Sequence, residues 1–152
     1  MKIKIVCVGK IKESYLDDAI LEYKKRISKY SNIEICEVKD ESNQLDEKKV
    51  LELEAERIIP NLEGYVIGLV IKGNMLDSIE LAKKIDEVST YNNSTITFVI
   101  GGSYGLSKKV IEKMNYKLSF SKMTFPHQLM RVILLEQVYR AFKINNNETY
   151  HK

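Results

Sequence analysis

Two cysteines and two histidines in 152 residues leave little material for metal or redox chemistry. Cys7 and Cys36 lie far apart, each inside a strand-like apolar run, with no CxxC and no secreted disulfide pattern. That usage implies core thiols in a reducing compartment. His127 and His151 are distant in sequence from both cysteines and no HExxH is present, so no metal site is expected. Long hydrophobic runs are missing too. The longest unbroken run of apolar residues or glycine, YVIGLVI with the Gly64 before it, is far short of the ~20 residues of a membrane span. The opening MKIKIVCVGK lacks the apolar segment and small-residue cleavage site of a signal peptide, so the expected location is the cytoplasm, with no membrane partner. Charge is nearly balanced, at 24 basic against 21 acidic residues, which permits a polyanionic partner without requiring one. Lysines and an arginine gather at Lys24, Lys25, Arg26 and Lys29, and lysines again at Lys108, Lys109, Lys113, Lys117 and Lys122. Each group reads either as a solvated helix face or as a phosphate-tracking patch.

What is present is an alternation of strand-like and helix-like periods. IKIVCVG, IEICEV, GYVIGLVI, STITFVI and YKLSFS read as strands. Between them fall a helix opened by Ser14, with Asp17 as its acidic capping partner and Leu16, Ile20, Tyr23 and Ile27 on one stripe; a charged helix LDEKKVLELEAERIIP ended by Pro60; a turn KGN and a helix DSIELAKKIDEVS; and a short helix capped by Ser107 and ending near Asn115. Pro126 suits the first residue of a last helix. This pattern implies an α/β fold, a mostly parallel sheet with helices on both faces, in a single domain spanning 1–152. There are no repeats and no linker. The last helix, LMRVILLEQVYRAFKI, is apolar nearly all round yet carries Arg131, Glu136 and Arg140. At ~100° per residue Glu136 and Arg140 share one side, with His127 and Arg131 almost opposite. A helix with so little solvent face implies cover by a second copy, hence a homodimer.

The glycines ask for a ligand. A dinucleotide fold puts GxGxxG after its first strand and an acid about 20 residues later. Here the first strand ends in the single Gly9, while GGSYG follows the fourth strand at 101–105 and the position for the acid falls at Ser121-Lys122. Gly9-Lys10 is followed by neither Ser nor Thr, so no P-loop exists. Three strand ends look specialised instead: GLVIKGN, IGGSYG and SFSKMTFPH. Ligands of open α/β sheets lie outside the carboxyl ends of strands. Bare backbone, the hydroxyls of Ser121 and Thr124, and the apolar Met123 and Phe125 suit a flat purine with a sulfur-containing tail.

FVIGGSYGLS, LSFSKMTFPHQLMRVILLEQVYRA and the tail ETYHK together resemble the RlmH family, the ribosomal large-subunit pseudouridine methyltransferases of the SPOUT superfamily. The resemblance extends along the whole chain, including MKIKIVCVGKIKE. It implies a C-terminal trefoil knot, a homodimer with the last helix at the interface, and S-adenosyl-L-methionine bound among strand-end loops. Carried over by position, the cofactor residues are Leu69, Gly101, Phe120, Ser121, Lys122, Met123, Thr124 and Phe125. The implied reaction is methyl transfer to N3 of a pseudouridine in 23S rRNA within the ribosome, so the implied partners are a second copy and that RNA. Such a displacement relies on positioning and on handling the N3 proton. The resemblance puts Tyr150 and His151 on a tail that completes the partner subunit's pocket. Arg131 either helps handle the proton and its charge or pairs with Glu136 of the partner subunit. His127 is expected to hold the cofactor loop through a backbone bond. A non-catalytic RNA-binding dimer of the same fold is the competing reading, and the trio of cofactor loops weighs against it. No RNP motif, zinc knuckle or aromatic platform is visible, so recognition is expected to follow the shape of an assembled particle.

Overall fold

A computed structural model describes residues 1–41, 46–91 and 94–152. Five strands form one sheet: β1 (Lys2–Val8), β2 (Asn32–Val38), β3 (Tyr65–Met75), β4 (Thr95–Ile100) and β5 (Tyr116–Ser119), in the order β2-β1-β4-β3-β5. Every pairing is parallel. The helices are α1 (Ser14–Ile27), α2 (Glu47–Ile58), α3 (Ser78–Thr90), α4 (Lys108–Ile111) and α5 (His127–Asn145), with a 3₁₀ turn at Ile59–Asn61. Parallel strands need crossovers, and crossovers put helices on both faces. Successive β1 residues therefore feed two cores. Ile3 and Ile5 pack with Ile20, Ile27, Ile85 and Leu134 under α1, α3 and α5, while Val6 and Val8 pack with Ala55, Ile58 and Val110 under α2 and α4.

Several boundaries differ from expectation for identifiable reasons. Ser14 is the first helical residue rather than the cap. The first turn closes on the Glu13 carbonyl, which accepts from both Leu16 and Asp17 N–H, and Glu13 caps without a side-chain bond. The expected start of α2 at Leu45 lies outside the described residues; Asp46 caps that helix by accepting from Lys49 N–H at 2.8 Å. Pro60 sits inside the 3₁₀ turn that follows α2. Ser107 caps α4 as expected, accepting from Val110 N–H, but the helix stops at Ile111. Pro126 is the cap of α5 and not its first residue. Cys7 is buried as expected, and burial pushes its thiol up to about 12, whereas Cys36 is only half-buried. KGN is not a turn out of the sheet. Leu69 pairs with Leu118, residues 70–73 bulge out, and Asn74 and Met75 rejoin β5 at Leu118 and Ser119.

The cover over α5 also differs. On that helix only Leu129 is exposed, because α5 lies between α1 and α3 against the sheet. Most of the apolar surface that called for a second copy is thus satisfied inside the chain. No helix among the described residues is long and apolar enough to cross a membrane.

Candidate functional site

The C-terminal ends of β4, β3 and β5 converge on a cavity of about 460 Å³. Leu69, Gly101, Phe120, Ser121, Met123, Thr124 and Phe125 all line it; Lys122 does not and stands exposed beside it. Val70, Ile71, Ser103, Tyr104, His127 and Met130 line it too; the first five lie within the three strand-end stretches but not among the eight named positions, and Met130 lies outside both. The β3 bulge explains the first two, since it turns the 70–73 segment out of the ladder and toward the cavity. No periodic signal marks a bulge.

The glycine turn is built for close approach. Gly105 N–H donates to Gly102 O at 3.0 Å, and Gly105 has φ +75°, where a side chain is strained. A β-carbon on Gly101 would stand 2.4 Å from Gly105 O, so only glycine fits. Opposite, residues 120–126 belong to no helix or strand. The loop is shaped by its own hydroxyls: Ser119 Oγ donates to Ser121 O at 3.1 Å, and Ser121 Oγ accepts from Met123 N–H at 3.0 Å. Main chain outside any ladder, between Leu69, Phe120 and Phe125, can read the edge of a purine while apolar walls hold its faces. The donor set and size fit an adenosine carrying a thioether arm. Among the described residues no group of three or more His, Cys, Asp or Glu side chains stands ready to hold a metal ion.

Arg131 is placed elsewhere. It is 1 % exposed and does not line this cavity. Its guanidinium donates to Glu37 Oε2 at 2.6 Å, Val8 O at 3.0 Å and Gly9 O at 2.6 Å, clamping the ends of β1 and β2 to the first turns of α5. Glu136, its expected partner across a dimer, accepts from Arg140, Gln137 and Tyr150 of the same chain. Arg131 therefore fastens α5, which carries the cavity residues His127 and Met130, to the ends of β1 and β2, while its Nε is buried with no partner among the described residues.

The tail folds onto the far half of α5. The Tyr150 ring meets Tyr139 edge-on at 4.9 Å and lies under the Arg140 guanidinium at 4.7 Å, while His151 Nδ1 stands 3.2 Å from Arg140. Met130 lines the cavity and Arg140 holds the tail, a separation of about 15 Å along the helix. Tyr150 and His151 thus gather with Glu136 and Arg140, away from this chain's own cavity.

His127 makes no backbone bond through Nδ1, which is buried without a partner among the described residues. Burial first, then the charge of Arg131, lowers its pKa from 6.5. Protons then bind the unfolded chain more readily than the folded one, so stability is whole above about pH 6.5 and is lost as pH falls through the folded-state value. Thermal melts between about pH 7 and 5 should show this loss, and His127→Gln should flatten it.

A family model described as "Predicted SPOUT methyltransferase" matches residues 1–151. "Putative ribosomal RNA large subunit methyltransferase H" of Methanococcus vannielii is 58 % identical, and its namesake from Methanococcus maripaludis 57 %, each alignment covering all of both chains. Among solved structures, a "probable methylase family protein" from Haemophilus influenzae aligns with TM-score 0.59 at 19 % identity, over 99 % of this chain and 70 % of its own. A methylase family protein from Neisseria gonorrhoeae aligns at 0.55 and 10 %, over 99 % and 86 %. The structural likenesses establish the fold. The full-length relatives establish more: this chain belongs to the SPOUT methyltransferase family, in its ribosomal RNA large subunit methyltransferase H group.

Proposed function

We propose that this protein uses S-adenosyl-L-methionine to methylate N3 of a pseudouridine in 23S rRNA, acting in the cytoplasm on assembled ribosomal particles. The observation that carries the reading is the meeting of three strand-end segments, 69–71, 100–105 and 118–125, on one cavity. Bound there, the cofactor supplies an electrophilic methyl group. The chain's part is to hold the adenosine against the glycine turn and the 119–125 loop, and to exclude water with Leu69, Phe120 and Phe125.

The path of the chain supports the trefoil knot. From β5 at one edge, residues 120–126 pass the ends of β3 and β4 and deliver α5 to the end of β1, where Arg131 fastens it. A homodimer is supported by two features. Ile71, Met75, Ile79 and Met123 are exposed on and near the cavity rim, and the tail lies about two helical turns or more from the cavity it is implied to complete. In a dimer Tyr150 and His151 of one chain complete the site of the other. There His151 takes or relays the N3 proton and Arg140 stabilises the charge left behind.

Calorimetric titration with S-adenosylhomocysteine tests the pocket, and mass spectrometry of rRNA from cells with and without the protein tests the product. No binding, or an unchanged modification profile, would sink the proposal. His151→Ala should slow single-turnover methylation about 100-fold, in the range of general acid–base catalysis, and leave S-adenosylhomocysteine affinity unchanged. The exposed Lys108, Lys109 and Lys113 on and after α4 are assigned to phosphate contacts. Changing all three to Gln should weaken binding to ribosomal particles and reduce its salt slope by about 3, roughly one per lost contact.

A further inference from the structure

The glycine turn beside the cofactor cavity carries one large side chain, Tyr104. Gly102 and Gly105 pair across the turn as an isolated antiparallel bridge, which sets Ser103 and Tyr104 at its tip. The turn is backed as well as closed. A β-carbon on Gly102 would stand 3.1 Å from Val8 Cγ1 and 3.3 Å from Oε1 of Glu54, a buried carboxylate from α2 whose Oε2 accepts from Glu41 N–H. Tyr104 therefore rises from main chain with little room to move.

Its side chain is unused by the fold. Tyr104 is 39 % exposed, and among the described residues its ring meets no other ring or cation and its hydroxyl has no hydrogen-bond partner. Other tyrosines are engaged: Tyr23, Tyr30 and Tyr150 gather around Tyr139, and Tyr116 lies under the Lys84 ammonium at 4.0 Å. Tyr104 also lines a second cavity, of about 290 Å³, near the ends of β1 and β2, so it stands on a ridge with open space on either side. That places it on the β1 side of the cofactor cavity. The apolar rim assigned to the partner subunit, at Ile71, Met75 and Ile79, belongs to β3 and α3 on the other side.

We propose that the Tyr104 ring is the platform on which the acceptor nucleobase stacks, with N3 facing the methyl group in the same cavity. This rests on the methyltransferase reading above. Once the N3 proton is gone, the electron pair left on N3 lies in the plane of the base. That pair forms the N–CH₃ bond as the S–CH₃ bond breaks, and the sulfur keeps the electrons of the broken bond. The base must therefore meet the methyl group edge-on, which leaves its two flat faces for the protein to grip. Stacking on an aromatic side chain is the common hold on an unstacked RNA base, and it is indifferent to which base is held. One ring thus fixes the plane of attack without reading sequence, and in-line geometry is where the acceleration lies. The edge of the base stays open to the proton transfer assigned to the partner's His151.

The test is single-turnover methylation of ribosomal particles by wild type, Tyr104→Phe and Tyr104→Leu, read beside S-adenosylhomocysteine affinity. Tyr104→Leu keeps apolar bulk but removes the flat face, and should slow methylation at least about tenfold. Tyr104→Phe keeps the face and should stay within about threefold. Both should bind S-adenosylhomocysteine within about threefold of wild type, because the adenosine rests on the main chain of the turn. Both should melt within about 2 °C of wild type, as substitutions at exposed positions do. A smaller loss of rate in Tyr104→Leu would overturn the assignment, and so would a larger loss in Tyr104→Phe, which would give the role to the hydroxyl. A fall in S-adenosylhomocysteine affinity that matches the fall in rate would overturn it too, by making Tyr104 part of the cofactor's own hold. Failure of the wild-type protein to bind S-adenosylhomocysteine or to methylate the particles would instead overturn the methyltransferase reading itself.

Discussion

Replacing Arg131 by methionine is expected to lower the melting temperature by on the order of 10 °C. Methionine fills much of the same volume but donates nothing. The carbonyls of Val8 and Gly9 then lose their side-chain donor inside the fold, and Glu37 loses its cation. Breaking a buried charged network of this kind costs about 3–5 kcal/mol, a large part of the roughly 5–15 kcal/mol that holds a domain together. At this chain length each kcal/mol is worth about 2–4 °C. Arg131→Lys should not rescue it, because an ammonium on a flexible stem cannot serve three acceptors in the planar fork that guanidinium provides. Circular dichroism melts of the two variants beside wild type decide the matter. A group acting only in proton transfer would cost rate and leave the melt unmoved. An unchanged melting temperature for Arg131→Met would return Arg131 to the catalytic reading.

Arg131 also shows where sequence reading ran short. The strands, their parallel pairing and most helices are written in local periodicity and in caps such as Ser107, which two or three neighbouring residues determine. The three specialised strand ends were legible for a related reason: glycines and hydroxyls cluster where backbone must be bare, and seven of the eight cofactor positions line one cavity. Lys122 lies outside the cavity lining, because alternation along an irregular loop does not fix which side chains point inward. Arg131 and Glu54 were invisible as buried groups. A charged residue on a helix looks solvated until residues 94 and 122 positions away, Glu37 and Gly9, are known to sit beside it. The bulge in β3 was hidden likewise, since its cause is the second pairing of β3 with β5 and not its own sequence. The wide apolarity of α5 was read correctly as a demand for cover, but α1 and α3 meet most of that demand.

The glycine turn separates two physical effects that a single scan would confuse. Gly101→Ala should abolish measurable S-adenosylhomocysteine binding, a loss of at least about 100-fold, because its β-carbon would meet Gly105 O at 2.4 Å. Both atoms belong to the same short turn, closed by the Gly105 N–H to Gly102 O bond, so neither can yield unless the turn opens. Opening it displaces Ser103 and Tyr104, which line the cavity, and removes the close backbone surface the adenosine would rest on. Gly105→Ala meets no atom within 4 Å, and its penalty is only the positive φ of +75°. That conformation costs an alanine about 1–2 kcal/mol. Gly105→Ala should therefore melt a few degrees lower yet bind within about tenfold of wild type. Equal binding losses in the two variants would mean that turn strain, and not close approach, governs the pocket. Unimpaired binding by Gly101→Ala would place the cofactor away from this turn altogether.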